Sequence, residues 1–194
     1  MLELRELARG DLAAVNAWRA DRDTVACLGA PFRYIGPEVD EVWFDSYMRG
    51  RANCVRCVVV DADDPAIPLG LATLASINWV HRTCTFHIQV SPEARGHGVG
   101  GFALDGMLRH AFRDLGLNRV ELDVLETNVR ARRMYERAGF MVEGTRRQAA
   151  FKDGAYVDMV QMGLLREEWE SRTVASGGLL SKALPLVAPL RRAA

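Results

Sequence analysis

The chain has 194 residues, of which 49% are hydrophobic and 26% are charged, as expected for a soluble globular protein with a proper core. Its 25 basic and 25 acidic side chains give a formal net charge of zero, so we expect neither a nucleic-acid partner nor a membrane surface. The opening MLELRELARGD lacks the apolar part of a secretory signal, and no apolar run of about 18 residues follows, so we expect a cytoplasmic protein.

The N-terminal part predicts one strand and two helices. Residues 2–6 alternate apolar and polar side chains like an edge strand, and Asp11 is placed to cap the first helix. Glycine and proline interrupt the pattern over residues 21–36, so we expect a loop there. Pro37 then opens a second helix. An apolar stripe predicts its buried face: Val39, Val42, Trp43, Tyr47 and Met48.

Three strands are predicted next. Residues 54–61 form one, and residues 69–78 and 83–90 predict a hairpin across the turn 79–82. The first of these runs contains a C-x-x-C pattern, but positions i and i+3 of a strand point to opposite faces. No second cysteine or histidine pair completes a metal site, so we expect no metal. We expect all four cysteines to be reduced, buried hydrophobic residues: Cys27, Cys54, Cys57 and Cys84.

A glycine-rich segment follows the third of these strands and opens a long amphipathic helix. Gly96, Gly98, Gly100 and Gly101 leave bare backbone N–H groups at the helix N-terminus. The helix dipole favours negative charge at that end. We therefore expect this segment to bind a phosphate or pyrophosphate.

Several interpretations compete for this glycine loop. A Walker A loop is excluded because no Gly-Lys-Ser/Thr follows. A dinucleotide fingerprint fits the glycines, with acidic residues about 20 positions further on, but five residues that include Pro92 separate the strand from the first glycine. Arg95, Gly98 and Gly100 resemble a third kind of loop, the acyl-CoA loop of the GNAT N-acetyltransferases, whose signature is Gln/Arg-x-x-Gly-x-Gly/Ala. A glycine-rich turn that binds nothing is the remaining alternative.

The chain then predicts a parallel crossover and a capped helix. The helix that starts at the glycine loop ends before Gly116, and residues 119–125 predict a buried strand parallel to the earlier one. Asn128 is placed to cap a further helix, which ends at Gly139 with Phe140 packing back on it.

Two closing strands complete the predicted domain. Residues 141–149 and 156–165 form them around the turn Lys152–Gly154. We expect a single domain over residues 1–170 and a flexible or docking tail over residues 171–194.

These elements and motifs, in this order, resemble the GNAT superfamily of N-acetyltransferases over about residues 2–168. The branch that the chain resembles holds ribosomal-protein alanine, spermidine, and sugar or antibiotic N-acetyltransferases. Besides the acyl-CoA loop, the resemblance rests on four segments: L-R-x-L-x-x-x-D-L from Leu4, I-N-x-x-H-R from Ile77, N-x-x-A-x-x-x-Y-x-x-x-G-F from Asn128, and G-x-Y from Gly154.

The resemblance implies an α/β fold with a mixed, mostly antiparallel central sheet, splayed between its fourth and fifth strands and flanked by helices. Acetyl-CoA would enter the splay as co-substrate, without a metal. Backbone groups of Ile88, Gln89 and Val90 would pair with its pantetheine arm, and Asn128 would contact it. The backbone of the loop would hold the pyrophosphate: Arg95, Gly96, His97, Gly98, Val99, Gly100 and Gly101.

The resemblance also implies direct transfer of an acetyl group from a thioester to an amine. Tyr135 is the candidate general acid for the leaving thiolate, although its helical spacing also fits a core aromatic residue. Relatives often carry a glutamate at the position of Thr85, and a threonine cannot act as a base at neutral pH. His87, two residues on and on the same face, has the ordinary imidazole pKa of about 6.5 that suits a general base. A purely structural His87, a base at His81 or a water relay are the alternatives.

We expect the acceptor to be a primary amine of a small molecule: an amino sugar, an antibiotic or an amino-acid-like metabolite. A polyamine needs carboxylates, and the matching positions are uncharged: Gly29, Ala30, Ser76 and Thr85. Residues 21–47, with Phe151 and Tyr156, should shape the acceptor pocket. Alternatives are a peptide or ribosomal-protein N-terminus, a polyamine, or a non-catalytic acyl-CoA-binding module. Family habit implies a homodimer.

Overall fold

The computed structural model describes residues 1–175, in which seven strands form one sheet and six α-helices flank it. The order of strands across the sheet is β1-β2-β3-β4-β5-β7-β6. The strands are β1 Leu2–Glu6, β2 Val55–Asp61, β3 Asp64–Asn78, β4 Thr83–Val90, β5 Arg119–Leu125, β6 Met141–Lys152 and β7 Ala155–Leu165. The helices are α1 Leu12–Ala20, α2 Arg22–Ala26, α3 Pro37–Arg49, α4 Val99–Arg109, α5 Val129–Ala138 and α6 Arg166–Ala175.

The sheet is antiparallel except where β4 meets β5. These two strands are joined by α4 and a π-helical turn, His110–Asp114, which together form the crossover. The predicted fold class, a mostly antiparallel mixed sheet flanked by helices, is therefore confirmed.

The parallel contact of β4 and β5 is short. It pairs Thr83, Cys84 and Thr85 with the first three residues of β5 and then stops. Beyond Thr85, β4 stays paired with β3 on one side, as far as Val90. The sheet therefore splays between its fourth and fifth strands, as expected.

Two hydrophobic cores cover the two faces of the sheet. The larger one lies under α4, α5 and α6 and includes Phe86, Phe112, Met162 and Trp169. The smaller one lies under α1 and α3. Helix α1, which the sequence predicted to follow Asp11, buries Leu12, Val15 and Trp18 in this smaller core.

The predicted buried face of α3 is wrong for three of its five residues. Val39, Val42 and Met48 are 56%, 66% and 45% exposed, whereas Phe44 and Tyr47 are buried. An ion pair between Asp40 and Arg19 explains the rotation of the helix, because it holds the Asp40 carboxylate, only 2% exposed, against α1. With the helix held in this orientation, Phe44 and Tyr47 pack in the smaller core.

Three local predictions also need correction. The expected loop 21–36 contains α2, whose first turn is capped by the Asp21 carboxylate accepting the Thr24 N–H at 2.9 Å. The Asp11 side chain does not cap α1, because it accepts from the Ala8 N–H and from Arg5 instead. All four cysteines are free thiols, but only Cys84 is buried as expected: Cys54 and Cys57 are half-buried, and Cys27 is exposed at the surface.

Helix α6 was not predicted. It packs Trp169, 4% exposed, against Phe112 with 5.4 Å between ring centroids. The expected boundary at residue 170 falls inside this helix, and the division into domain and tail stays a prediction. The part of the predicted tail after residue 175 lies outside the described residues. None of the helices in residues 1–175 combines the length and the apolar character needed to cross a bilayer.

Replacing Phe112 should strongly destabilise the fold. The Phe112 ring is completely buried between the sheet and Trp169, so Phe112→Ala leaves a cavity and should lower the free energy of unfolding by about 3–5 kcal/mol. Urea unfolding followed by circular dichroism measures this change. Val80→Ala, at a side chain that is 87% exposed, is the control and should change stability by less than about 0.5 kcal/mol. Equal midpoints for the two variants would contradict the assigned core.

Candidate active site

The splay of the sheet opens into a cleft with a volume of about 1360 Å³. Its walls come from β4 and β5, from the glycine loop and the start of α4, from α5, and from the segment that follows α2. A smaller cavity of about 280 Å³ lies apart from it, between α1 and residues 32–36. The cleft is the site that brings together the candidate residues from distant parts of the sequence.

The glycine loop lies at the mouth of the cleft. Gly96 and Gly98 have φ angles of +89° and +81°, which side-chain-bearing residues rarely adopt, so these two positions require glycine. The first backbone hydrogen bond into α4 runs from the Phe102 N–H to the Gly98 carbonyl at 3.0 Å. The N–H groups of Val99, Gly100 and Gly101 come before that bond, so they belong to the unpaired first turn of the helix. This arrangement can bind an anion.

Arginine side chains lie beside the glycine loop and elsewhere along the cleft. The Arg130 guanidinium lies 3.9 Å from the point that a Gly96 Cβ would occupy. Arg95, Arg137 and Arg172 also line the cleft. A phosphorylated ligand therefore meets backbone donors and positive side chains together, although the chain as a whole is neutral.

The inner edge of β4 faces the cleft without a strand partner. Ile88, Gln89 and Val90 pair with β3 on one side, while β5 has already diverged on the other. Half of their backbone polar groups therefore point into the cleft. The Gln89 side chain lines the cleft too, and its buried Nε2 atom has no partner within the described part of the chain. An extended amide-bearing chain would fit this edge as an added strand does.

Alternate residues of β4 serve the two faces of the sheet. Phe86 pairs in register with Leu74 and packs in the larger core, on the side that we call the α4 face. His87 pairs with Thr73 and so points to the opposite side, the α1 face. Both residues line the cleft, which therefore passes through the sheet.

Tyr135 lies on the α4 face. Its ring stacks edge-on against Phe86 and Phe140, with centroid distances of 6.3 Å and 5.9 Å. Burial raises the pKa of the Tyr135 hydroxyl to about 12, so the phenol keeps its proton at neutral pH. Within residues 1–175 no hydrogen-bonding partner occupies this hydroxyl, and the side chain lines the cleft. The phenol is thus free to donate a hydrogen bond to a ligand.

His87 lies across the cleft on the α1 face, where its ring is accessible. Partial desolvation by the surrounding protein nevertheless lowers the pKa of His87; Asp123 opposes this shift and Arg56 adds to it. The imidazole is therefore neutral at pH 7 and can accept a proton. Thr85, in the position of the expected glutamate, pairs with Glu121 of β5, so a carboxylate stands next to it on the neighbouring strand.

Two predicted cofactor residues also contact the segment around α2. Asn128 caps α5 through its Oδ1, which accepts from the Ala131 N–H at 3.1 Å, and its Nδ2 donates to the Cys27 carbonyl at 3.0 Å. Arg95 donates to the Thr24 hydroxyl and lies 3.4 Å from the Asp21 carboxylate. Both side chains therefore bridge the glycine-loop end of the cleft and its α1-face wall.

The expected acceptor pocket is only partly present in the cleft. Gly29 and Ala30 line the cleft, and a Cβ on Gly29 would lie 2.8 Å from the Met159 methyl group. Phe151 and Tyr156 stack on each other at 5.1 Å but are 56% and 67% exposed on the β6–β7 hairpin, outside the cleft lining. His81 is exposed in the β3–β4 turn, also away from the cleft. Residues 1–175 contain no cluster of three or more histidine, cysteine or acidic side chains suited to a metal ion.

Three residues at this site were not identified from the sequence. Arg130 approaches the glycine loop, Asp123 lines the cleft beside His87, and Lys152 donates to backbone carbonyls of the segment around α2. Because side chains alternate along β5, Asp123 lies on the same face as Glu121, and this alternation could have predicted Asp123 as a site residue. Nothing local to Lys152 indicates a contact more than 120 residues away in sequence.

Comparisons with known proteins agree on one family. The family model described as acetyltransferase (GNAT) domain matches residues 1–141. The spermidine N(1)-acetyltransferase of Vibrio cholerae is 31% identical over 173 residues, which are 89% of this chain and 97% of the relative. The spermidine N(1)-acetyltransferase of Escherichia coli K12 is 32% identical over 139 residues, 72% of this chain and 73% of the relative.

The fold is shared with a solved complex. The crystal structure of spermidine N-acetyltransferase from Vibrio cholerae in complex with CoA and spermine superposes with a TM-score of 0.81 at 30% sequence identity. The superposition covers 87% of this chain and 98% of that one.

Proposed function

The chain belongs to the GNAT acetyltransferase family, and we propose that it transfers the acetyl group of acetyl-CoA to a primary amine of a small molecule. As a GNAT N-acetyltransferase it is an acyltransferase that uses acetyl-CoA. The observation that carries the assignment of the site is the short β4–β5 contact, because it opens one cleft to the glycine loop, Tyr135 and His87 together.

We infer that the cofactor site consists of the β4 edge and the glycine loop. Ile88, Gln89 and Val90 offer backbone groups and one unpaired side-chain amide to a pantetheine arm. The loop offers the unpaired N–H groups of Val99, Gly100 and Gly101 to the pyrophosphate. The N–H groups of Arg95 and His97, which were also expected to bind it, already donate to the Pro92 and Ala94 carbonyls at 3.4 Å. Arg130 adds positive charge beside the loop. Asn128 completes this end of the cleft. When bound, acetyl-CoA supplies an activated thioester.

Tyr135 is proposed as the general acid. Its hydroxyl is protonated at neutral pH and has no competing partner within the described residues. Because its pKa of about 12 exceeds the ordinary thiol pKa by about 3.5 units, complete proton transfer to a thiolate would be uphill. Tyr135 therefore contributes mainly by donating a hydrogen bond while negative charge develops on the sulfur.

His87 is proposed as the general base. It approaches the cleft from the α1 face, opposite Tyr135, so an amine could enter between it and a thioester held along β4. Its lowered pKa keeps the imidazole neutral at physiological pH. Asp123 lies nearby, and its carboxylate, which already accepts from Arg146, opposes the lowering of the His87 pKa and so favours the imidazolium that forms when the base takes up a proton.

The charge of the cleft supports an acceptor with at most one positive charge. The two carboxylates among its described lining residues are Asp105 and Asp123, and each already accepts from an arginine, Arg109 and Arg146. A polycation would have to compete with these contacts near a surplus of arginine side chains. An amino sugar, an amine-bearing antibiotic or an amino-acid-like metabolite meets no such conflict.

A polyamine is the second candidate acceptor. Its support comes from the relatives, since two matched proteins are named spermidine N(1)-acetyltransferases and a solved relative holds spermine with CoA. The two candidates separate in a direct comparison of spermidine with amino sugars, amino acids and dipeptides as acceptors.

Tyr135→Phe should lower the rate of thiol release by about 100-fold on the best amine of that panel, because the hydrogen-bond donor is lost. The phenyl ring keeps the stacking with Phe86 and Phe140, so acetyl-CoA binding measured by calorimetry should change little. Tyr156→Phe, at an exposed hairpin tyrosine, is the matched control and should retain full turnover. Unchanged turnover in Tyr135→Phe would remove the residue from the chemistry. Acetyl-CoA binding without turnover on any amine would favour a non-catalytic module.

Gly98→Ala should weaken acetyl-CoA binding by about tenfold in calorimetry. The added Cβ meets nothing within 4 Å, so the effect comes from the φ of +81°, which costs an alanine about 1–2 kcal/mol. Gly116→Ala carries similar strain, at φ +62° with nothing within 4 Å, but lies after the far end of α4. This control should lose stability while keeping its affinity. Equal affinities in all three proteins would refute the role of the loop.

The dependence of kcat/KM on pH tests His87. A general base must be unprotonated, so activity should fall as pH drops through the pKa of His87, which lies below 6.5. His87→Gln should abolish this acidic limb and lower the plateau. His81→Gln, at the exposed turn histidine, should leave the profile unchanged. An acidic limb that persists in His87→Gln would favour a water relay.

A further inference from the structure

We propose that Lys152 is a positioning residue for amine binding, acting through the residues from Asp21 to Ala30, which we call the α2 segment. The proposal rests on the proposed function, since this segment matters for turnover only if an amine binds against it. Lys152 itself does not line the cleft, whereas Thr24, Cys27, Leu28, Gly29 and Ala30 of the segment do.

The Lys152 ammonium group holds two carbonyls of the α2 segment. Its Nζ donates to the Val25 carbonyl at 2.9 Å and to the Ala30 carbonyl at 2.5 Å. Lys152 is the last residue of β6, at the hairpin that leads into β7. One side chain thus ties the end of α2 and the loop after it to the far edge of the sheet.

The α2 segment depends on such outside contacts. Helix α2 has only five residues, too few to be stable by itself. Gly29 packs so closely on Met159 that a Cβ there would lie 2.8 Å from the Met159 methyl group. A small displacement of the segment would therefore change the wall of the cleft on the α1 face.

Within residues 1–175, the other side-chain hydrogen bonds to the segment from outside it come from the cofactor end of the cleft. Arg95 of the glycine loop contacts Asp21 and Thr24, and Asn128 donates to the Cys27 carbonyl. Both residues are placed to contact acetyl-CoA, so their hold on the segment is shared with the cofactor. Lys152 holds the segment from outside the lining of the cleft. It is therefore suited to keep the amine wall in place in every state of the cofactor site.

Hydrogen exchange tests this role without knowledge of the acceptor. Three amides report on the segment because their backbone bonds lie inside it: Val25 to Asp21, Cys27 to Thr24, and Leu28 to Val25, at 3.0–3.2 Å. Lys152→Met keeps the apolar stem and removes the donors. In the full chain saturated with CoA, exchange of these amides should accelerate about tenfold, the effect of about 1.4 kcal/mol. Amides of β2 and β3 should not change.

Kinetics then show whether the segment positions the amine. Lys152→Met should raise KM for the best amine of the panel about tenfold while KM for acetyl-CoA stays within about twofold. Lys152→Arg, which can still donate to both carbonyls, should recover most of the loss. Arg147→Met is the matched control: it removes an exposed cation from the same strand and should behave like the wild type.

The outcomes separate this proposal from the assigned activity. Unchanged exchange of the three reporter amides in Lys152→Met overturns the role of Lys152, whether or not an acceptor has been found. A parallel rise of both Michaelis constants also overturns it, because the damage would then extend to the cofactor site. A wild-type protein that acetylates no amine contradicts the proposed function instead, and the exchange result still decides whether Lys152 holds the segment.

Discussion

The divergence of β4 from β5 after Thr85 is the constraint on which the site depends. A continued parallel contact would satisfy the backbone of Ile88 to Val90 and leave no space between the strands. Because the contact stops, β4 keeps one polar edge free, and the crossover through α4 starts directly beside that edge. The same divergence joins the two faces of the sheet, so residues packed in separate cores meet in one cleft. The glycine loop, Tyr135 and His87 can act together only because of this gap.

The charge distribution of this protein is uneven although its net charge is zero. The formal net charge is zero, yet four arginines line the cleft, and Arg95 and Arg130 belong to or adjoin the glycine loop. Asp105 is engaged by Arg109 from the next turn of α4, and Asp123 of β5 is engaged by Arg146 of β6. A phosphorylated cofactor therefore finds a positive end of the cleft in a neutral molecule, and a composition-based argument cannot detect it.

The sequence predicted the parts of the fold that local chemistry determines. The bounds of β4 and β5 were predicted correctly, and so was α5 between the Asn128 cap and Gly139, because turn residues and caps mark their ends. The face of α3 was wrong because an ion pair between Asp40 and a residue of α1 decides it, and no pattern within α3 contains that partner. The contacts of Lys152 were not predicted for the same reason, since they join the β6–β7 hairpin to the α2 segment, more than 120 residues earlier in the chain. Helix α6 was missed because its packing on the core rests on one tryptophan in a charged stretch.

The passage of the cleft through the sheet has a consequence for inhibitor design. In the proposed arrangement the two reactants approach from opposite sides and meet only at the gap beside β4. A single molecule in which a short spacer joins coenzyme A to an amine would pass through this gap and occupy the cofactor site and the amine site together. Once the coenzyme A part is bound, the linked amine is held near its own site at an effective concentration in the millimolar range or higher. Such bisubstrate molecules should therefore bind more tightly than a ligand that occupies only one side of the sheet.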